Sequence, residues 1–335
     1  MKLATVNWVN IGLMVVSFVA ASKLPFELFL FSYAVLGPLH YLTQISWLHD
    51  RKFFTPLRHD WMPLVGLALL YVLLVEYVLP GGYHLEGWGA WSPDVTFAAF
   101  GLALVIVVLK TWSLRLIGLI PIAIGIALLH TEEHTADNAY YSIFAVYLPT
   151  LIHVYVFTGA FVLLGALRSK SPSGLFSFAV FVGCSVAVLL SRGDASGYSV
   201  SPYVKESYKT FLTMNDYLDA HFGSGILQRM EDFFSDPFSV KMSRFIAFAY
   251  TYHFLNWFSK TSVIRWHQVP KSRFICVVIL WLASVGIYAY DFLLGFRWLI
   301  TLSLTHVYLE FPLNHQSFMG IGRELRRLVG GRSAA

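Results

Sequence analysis

Three histidines stand inside long apolar runs, and each has a polar residue about one helical turn away. His40 precedes Gln44, His253 precedes Asn256, and His306 precedes Glu310. Spacings of i, i+3 and i, i+4 put both members of a pair on one helix face. An ionisable side chain inside a membrane span marks a functional site by default. Counted from the cytoplasmic ends of their spans, the three imidazoles fall at one level, about 10–12 Å below the inner surface at 1.5 Å rise per residue. Three spans distant in sequence thus offer His40, His253 and His306 as metal ligands, with Glu310 as a fourth ligand or general base. Gln44 and Asn256 serve as groups that orient the ligands or bind a water. Imidazole plus carboxylate with an open position is the donor set of non-haem iron, and the open position would take dioxygen.

Other histidines form less certain sets. His49, His59, His267 and His315, with Asp50, make a ring at the inner surface. If the helices unwind there, His49, His267 and His315 could add ligands and give a dinuclear site; interfacial placement is the plainer account of His49 and His59. His153 sits near mid-membrane below Pro149 and could face either side. On the outer side His130-Thr-Glu-Glu-His134 fits the H-x-x-E-H zinc pattern, with Glu133 as base. A hydrated acidic loop explains the same five residues. His84 and His221 lie in loops and are assigned no role.

These groups need spans to position them, and the composition supplies spans. Of 335 residues, 57% are hydrophobic, 17% aromatic and only 13% charged. A soluble domain carries about a quarter charged residues. The fold class expected is an all-α polytopic membrane helix bundle. About ten segments are long enough: 4–21, 27–48, 61–79, 95–109, 113–130, 140–167, 175–191, 243–260, 274–290 and 296–314. A re-entrant turn at Asp291–Phe296 would reduce them to nine. The segment 4–21 reads as a retained helix, not a cleaved signal. Lys and Arg cluster in alternate connections, around Arg51–Arg58, Lys110–Arg115, Arg168–Lys170, Lys260–Arg273 and Arg323–Arg332. The positive-inside rule then places both termini in the cytoplasm.

The organisation expected is seven spans in 1–191, an extracytoplasmic amphipathic insertion in 192–241, three spans in 242–317 and a basic tail in 318–335. The insertion reads as two short helices broken at Gly223 and Gly225, either a plain cap or a lid over a lipid-side entrance. The stretch 242–273 organises the rest, because it joins His253 and Asn256 to the strongest basic run. Cys184 and Cys276, the two cysteines, lack CxxC spacing and read as packing residues. No repeat, low-complexity tract or nucleic-acid patch is present. The location expected is a cell membrane, most simply the inner membrane of a bacterium.

The early motif Gly37-Pro38-Leu39-His40-Tyr41-Leu42-Thr43-Gln44, together with the later intramembrane histidines, resembles the bacterial membrane β-carotene dioxygenases of the Brp/Blh type. That family places Pro directly before its histidine and Gly after it; here Leu39 intervenes and Tyr41 follows. The resemblance covers the second span and the general architecture, and it carries over His40 alone. It implies one non-haem iron held by buried histidines. The HxxxH and HxxHH boxes of membrane fatty acid desaturases are absent from the cytoplasmic side.

The function expected is an iron-dependent oxidoreductase or oxygenase acting on a membrane lipid or isoprenoid, using dioxygen and, where the chemistry requires it, an electron donor. Three other classes stay open. A proton-coupled transporter would use the histidines as a relay, although no internal repeat supports it. A haem-binding electron carrier would use two histidines as axial ligands. An outer-face zinc hydrolase would use His130, Glu133 and His134.

Overall fold

Side-chain oxygens and prolines start the helices. The computed structural model describes residues 3–75, 78–79, 83–84, 91–130, 137–192, 198–223, 233–260, 265 and 268–330. Ser171, Ser201 and Asp236 each accept a backbone N–H of the first turn and are followed by Pro172, Pro202 and Pro237. Such N-caps satisfy orphan donors, and proline at N1 lacks the N–H that would need one.

In chain order the helices are α1 (Leu3–Lys23), α2 (Pro25–Phe31), α3 (Gly37–Asp50), α4 (Met62–Val75), α5 (Ser92–Val108) and α6 (Trp112–Leu129). They continue with α7 (Ala139–Tyr141), α8 (Thr158–Ser169), α9 (Pro172–Leu190), α10 (Pro202–Tyr208), α11 (Leu212–Phe222), α12 (Pro237–Ser259), α13 (Lys271–Tyr290) and α14 (Phe292–Gly330). Two π-helical segments interrupt them: Ser32–Leu36 joins α2 to α3, and Ser142–Phe157 joins α7 to α8. A two-residue antiparallel ladder pairs Val78–Leu79 with Tyr83–His84.

The chain is an all-α polytopic membrane bundle. Among the described residues seven helices are long and apolar enough to cross a membrane. Met62–Leu74 and Ser92–Val108 are shorter apolar helices, and α12 is long but carries more polar groups. Each of the ten expected segments contains a helix, although in 61–79 the helix ends at Val75 and Val78–Leu79 belong to the ladder. Asp291 separates α13 from α14 and caps the latter through Leu294 N–H at 2.6 Å, so the two are distinct helices. The last helix begins earlier than expected and runs 39 residues, taking in most of the basic tail. The insertion also differs. Among its described residues two helices precede Gly223, separated by a 3₁₀ turn at Lys209–Phe211.

Contacts between connections sort the helix ends as alternation requires. At one end Asn7 donates to Ser171 and Ser173, Arg273 to Asp50, and Arg115 to Asp60. At the other, Asp94 joins His130 and Tyr140, and Tyr198 joins Glu27. The first group holds the connections rich in Lys and Arg.

Two helices act as pillars. Sixteen of the 23 residues of α12 are buried, and it packs on α1, α2, α9 and the long π segment. Helix α14 packs on α3, α4, α5, α8 and α13. One apolar core gathers around α2, α12 and the insertion; the other gathers around α4, α5 and α14. The buried histidines lie between them.

Candidate metal centre

His40 is presented by α3, His253 by α12, His306 by α14 and His153 by the long π segment. All four are buried. His40 Nε2 lies 3.1 Å from His253 Nε2, and His153 Nε2 lies 3.1 Å from His306 Nε2. One ring nitrogen each from His40, His253 and His306 fall within 4.8 Å of one another. The ring centres of His153 and His253 are 5.1 Å apart, which closes the group. Two imidazole nitrogens bound side by side to one ion at about 2.0–2.1 Å stand about 2.9–3.4 Å apart in octahedral or tetrahedral geometry. Both 3.1 Å pairs fall in that interval.

The surroundings hold the rings in place. Thr158 Oγ1 lies 2.7 Å from His253 Nδ1. With Nδ1 protonated and donating to Thr158, the lone pair of Nε2 points at the other imidazoles. Tyr41 stacks on His306 at 4.2 Å between ring centres. That stacking depends on Gly37, since a Cβ there would come within 3.0 Å of the Tyr41 hydroxyl. Trp257 stands edge-on to His40 and donates to Thr43 Oγ1 at 3.0 Å.

Glu310 is not in the ring-nitrogen group. It lies one turn inward from His306 and accepts a hydrogen bond from Gln44, which lies one turn inward from His40. Rows i, i+4 on α3 and α14 therefore make two layers, imidazoles above and a carboxylate–amide pair about 6 Å below. The fourth imidazole beside the group is His153, 3.1 Å from His306. Asn256 orients no histidine: its Oδ1 accepts from Tyr252 at 3.4 Å, on the side facing Asn10 of α1.

The inner ring does not assemble. His315 donates to the Phe100 carbonyl at 2.9 Å, His49 sits exposed beside Asp50, and His59 is exposed. His267 lies outside the described residues, as do Glu133 and His134. His130 Nδ1 pairs with Asp94 at 2.7 Å and stacks under Trp91. His84 lies in the short ladder, and His221 lies at the end of α11 near Tyr147.

A cavity of about 180 Å³ reaches His153, His253 and His306. Tyr33, Tyr41, Tyr71, Tyr250, Phe254 and Phe296 supply much of its wall. Thr210, Phe211, Thr213 and Met214 of the insertion also line it. Among the described residues no Lys, Arg, Asp or Glu lines it.

His153 and Thr158 are the residues that sequence spacing underrated. Both depend on the π segment, whose i→i+5 bonding displaces the side chains that follow from their α-helical phase. Helical counting therefore left the direction of His153 open.

Fold and site together define a class: a multi-pass helical membrane protein with a buried all-imidazole cluster facing an apolar chamber. No known family, curated protein or solved structure matches the chain.

Proposed function

We propose that the chain is an integral-membrane metalloenzyme, in which His40, His153, His253 and His306 hold one non-haem iron ion beside a chamber for an uncharged lipid chain. One observation carries this reading: His40, His253 and His306, from three different helices, bring ring nitrogens within 4.8 Å of one another, with His153 3.1 Å from His306, beside an apolar, aromatic cavity. Burying four imidazoles in a hydrocarbon interior is costly unless their polar atoms find partners. A shared cation uses the Nε2 atom of every ring and offsets that cost. The donor set contains neither thiolate nor carboxylate, and imidazole suits iron, copper, zinc and nickel. Iron follows from the resemblance to the carotene dioxygenases.

When bound, iron supplies dioxygen activation. The protein's own groups position the other reactant. Tyr33, Tyr250 and Phe254 wall the chamber and exclude water from it. The lack of charged lining groups suits an isoprenoid or other uncharged chain, since a phosphate or carboxylate headgroup would find no cation there. Adding O₂ across a carbon–carbon double bond gives two carbonyl products in balance, with no external electron donor. Glu310 and Gln44 support the ligand rows of α14 and α3 from below. The positive-inside pattern places the termini in the cytoplasm and the chamber toward the outer side, as in a bacterial inner membrane.

The test is metal analysis with an optical spectrum on protein purified in mild detergent without chelator. About one iron per chain and no Soret band supports the reading, as does oxygen uptake on adding an apolar polyene. A Soret band moves the site to haem. Zinc alone points to the segment 130–134. A folded chain without metal leaves a proton relay as the account of the cluster.

A further inference from the structure

The insertion lines one side of the chamber through Phe211 and Met214. A second concavity, about 310 Å³, lies on the outside of the bundle at the same level. One wall is Leu30, Phe31 and Ala34; the other is Val285 and Ala289. Phe31 is 55% exposed and Tyr203, at the upper rim, 62%. In a membrane such a face meets acyl chains.

Groove and chamber are one ring apart. Tyr33 and Phe211 line the chamber, while Tyr288 and Phe292 line the groove. Tyr33 meets Tyr288 edge-on at 6.4 Å, and Phe211 meets Phe292 edge-on at 6.1 Å. The two sides of this wall also share one backbone element. In the π segment Ser32–Leu36, Tyr33 faces the chamber while Ala34 and Val35 face the groove. Trp281 of α13 donates to the Val35 carbonyl at 2.8 Å and ties the groove's walls together. Tyr288 is seated on Gly295, where a Cβ would stand 2.5 Å from its ring.

We propose that this groove is the port through which a hydrocarbon chain passes laterally from the bilayer into the chamber, with Tyr33, Phe211, Tyr288 and Phe292 as its gate. The proposal rests on the chamber being the substrate site. The occupant is an uncharged chain. Among the described lining residues Glu27 is the one charged group, and its carboxylate accepts a hydrogen bond from Tyr198. No Lys or Arg among them is present to take a phosphate. Phe211 and Phe292 carry no polar side-chain atom, so their edge-to-face contact separates by rotamer change without breaking a hydrogen bond or an ion pair. A ring wall is therefore a cheaper gate than the polar seams elsewhere in the bundle.

The experiment uses the full chain in phosphatidylcholine vesicles with an aliphatic diazirine hydrocarbon as photolabel. Labelled peptides are mapped by mass spectrometry, and metal content is measured on the same samples. Wild-type protein should take label both in the groove, near Phe31 and Val285, and in the chamber, near Pro149 and Ile300. Ala289→Trp fills the groove at an exposed position and should abolish chamber labelling with metal content unchanged. Phe292→Ala thins the wall and should raise chamber labelling severalfold. Chamber labelling that persists in Ala289→Trp, or that is absent in both wild type and Phe292→Ala, overturns the port. Chamber labelling that follows the groove in a metal-free protein keeps the port and removes the metalloenzyme reading. Normal metal with an unlabelled chamber does the reverse.

Discussion

Each imidazole in the cluster has an individual part, and single substitutions separate them. His306→Ala and His153→Ala should each lose bound metal while helical circular dichroism persists, as measured by elemental analysis of the detergent-purified variants. Retention of metal in His153→Ala would reduce the site to the triplet of His40, His253 and His306. His315→Ala should leave metal untouched, because that ring bonds the Phe100 carbonyl. Thr158→Val removes the partner of His253 Nδ1 and should lower metal affinity by about 10–100-fold, with Thr158→Ser restoring it. Competition with a calibrated chelator measures this. At this scale spacing alone went far. His40, His253 and His306 were placed at one depth from their distance to span ends, and the structure brings them together. Glu310 and Asn256 misled for a simple reason. Sharing a helix face with a histidine fixes direction, but the i+4 position is a full turn lower and meets a different neighbour. Glu310 meets Gln44, and Asn256 meets Tyr252.

Helices are held in register by a few polar clasps at their ends. Arg115 of α6 donates to both Asp60 oxygens, at 2.7 and 3.1 Å, and its Nε donates to the Leu109 carbonyl at 2.8 Å. The pair is nearly inaccessible, with side chains 5% and 2% exposed. Removing one partner of a buried pair leaves an uncompensated charge and costs about 3–5 kcal/mol. Arg115→Ala should therefore lower resistance to thermal or SDS unfolding strongly while the iron content of the folded fraction is unchanged. Hydropathy placed most of the ten helices to within a few residues of their ends, since a run of apolar residues must end where capping groups and charges begin; α14 runs 16 residues past its expected end at 314. The π segments were not foreseen. They arise where Pro149 removes a helical N–H, and where tertiary contacts such as the bond from Trp281 to the Val35 carbonyl take up a carbonyl from the widened turn. Neither cause has a periodic signature.

For the molecule as a whole, the proposed ion would cross-link four segments that are far apart in the chain, at 40, 153, 253 and 306. Anything that binds only the folded state adds RT ln(1 + [L]/Kd) to stability, about 2.7 kcal/mol at a hundredfold excess over Kd. Stripping the metal should lower the unfolding temperature of wild-type protein by several degrees, whereas the same treatment should leave His306→Ala unmoved. A differential scanning measurement with and without chelator distinguishes the two. The two apolar cores on either side of the site provide most of the packing, so the stripped protein should remain a membrane bundle.

The π segment Ser142–Phe157 also makes His153 sensitive to chain length in a way that its neighbours are not. A wide turn accommodates surplus backbone within a helix whose ends stay put. Deleting one residue between Tyr147 and Ile152 would let the segment relax to ordinary winding, and His153 would swing by roughly the 100° that separates successive residues on an α-helix. The span would still cross the bilayer, and α8 would still pack. The imidazole would face elsewhere.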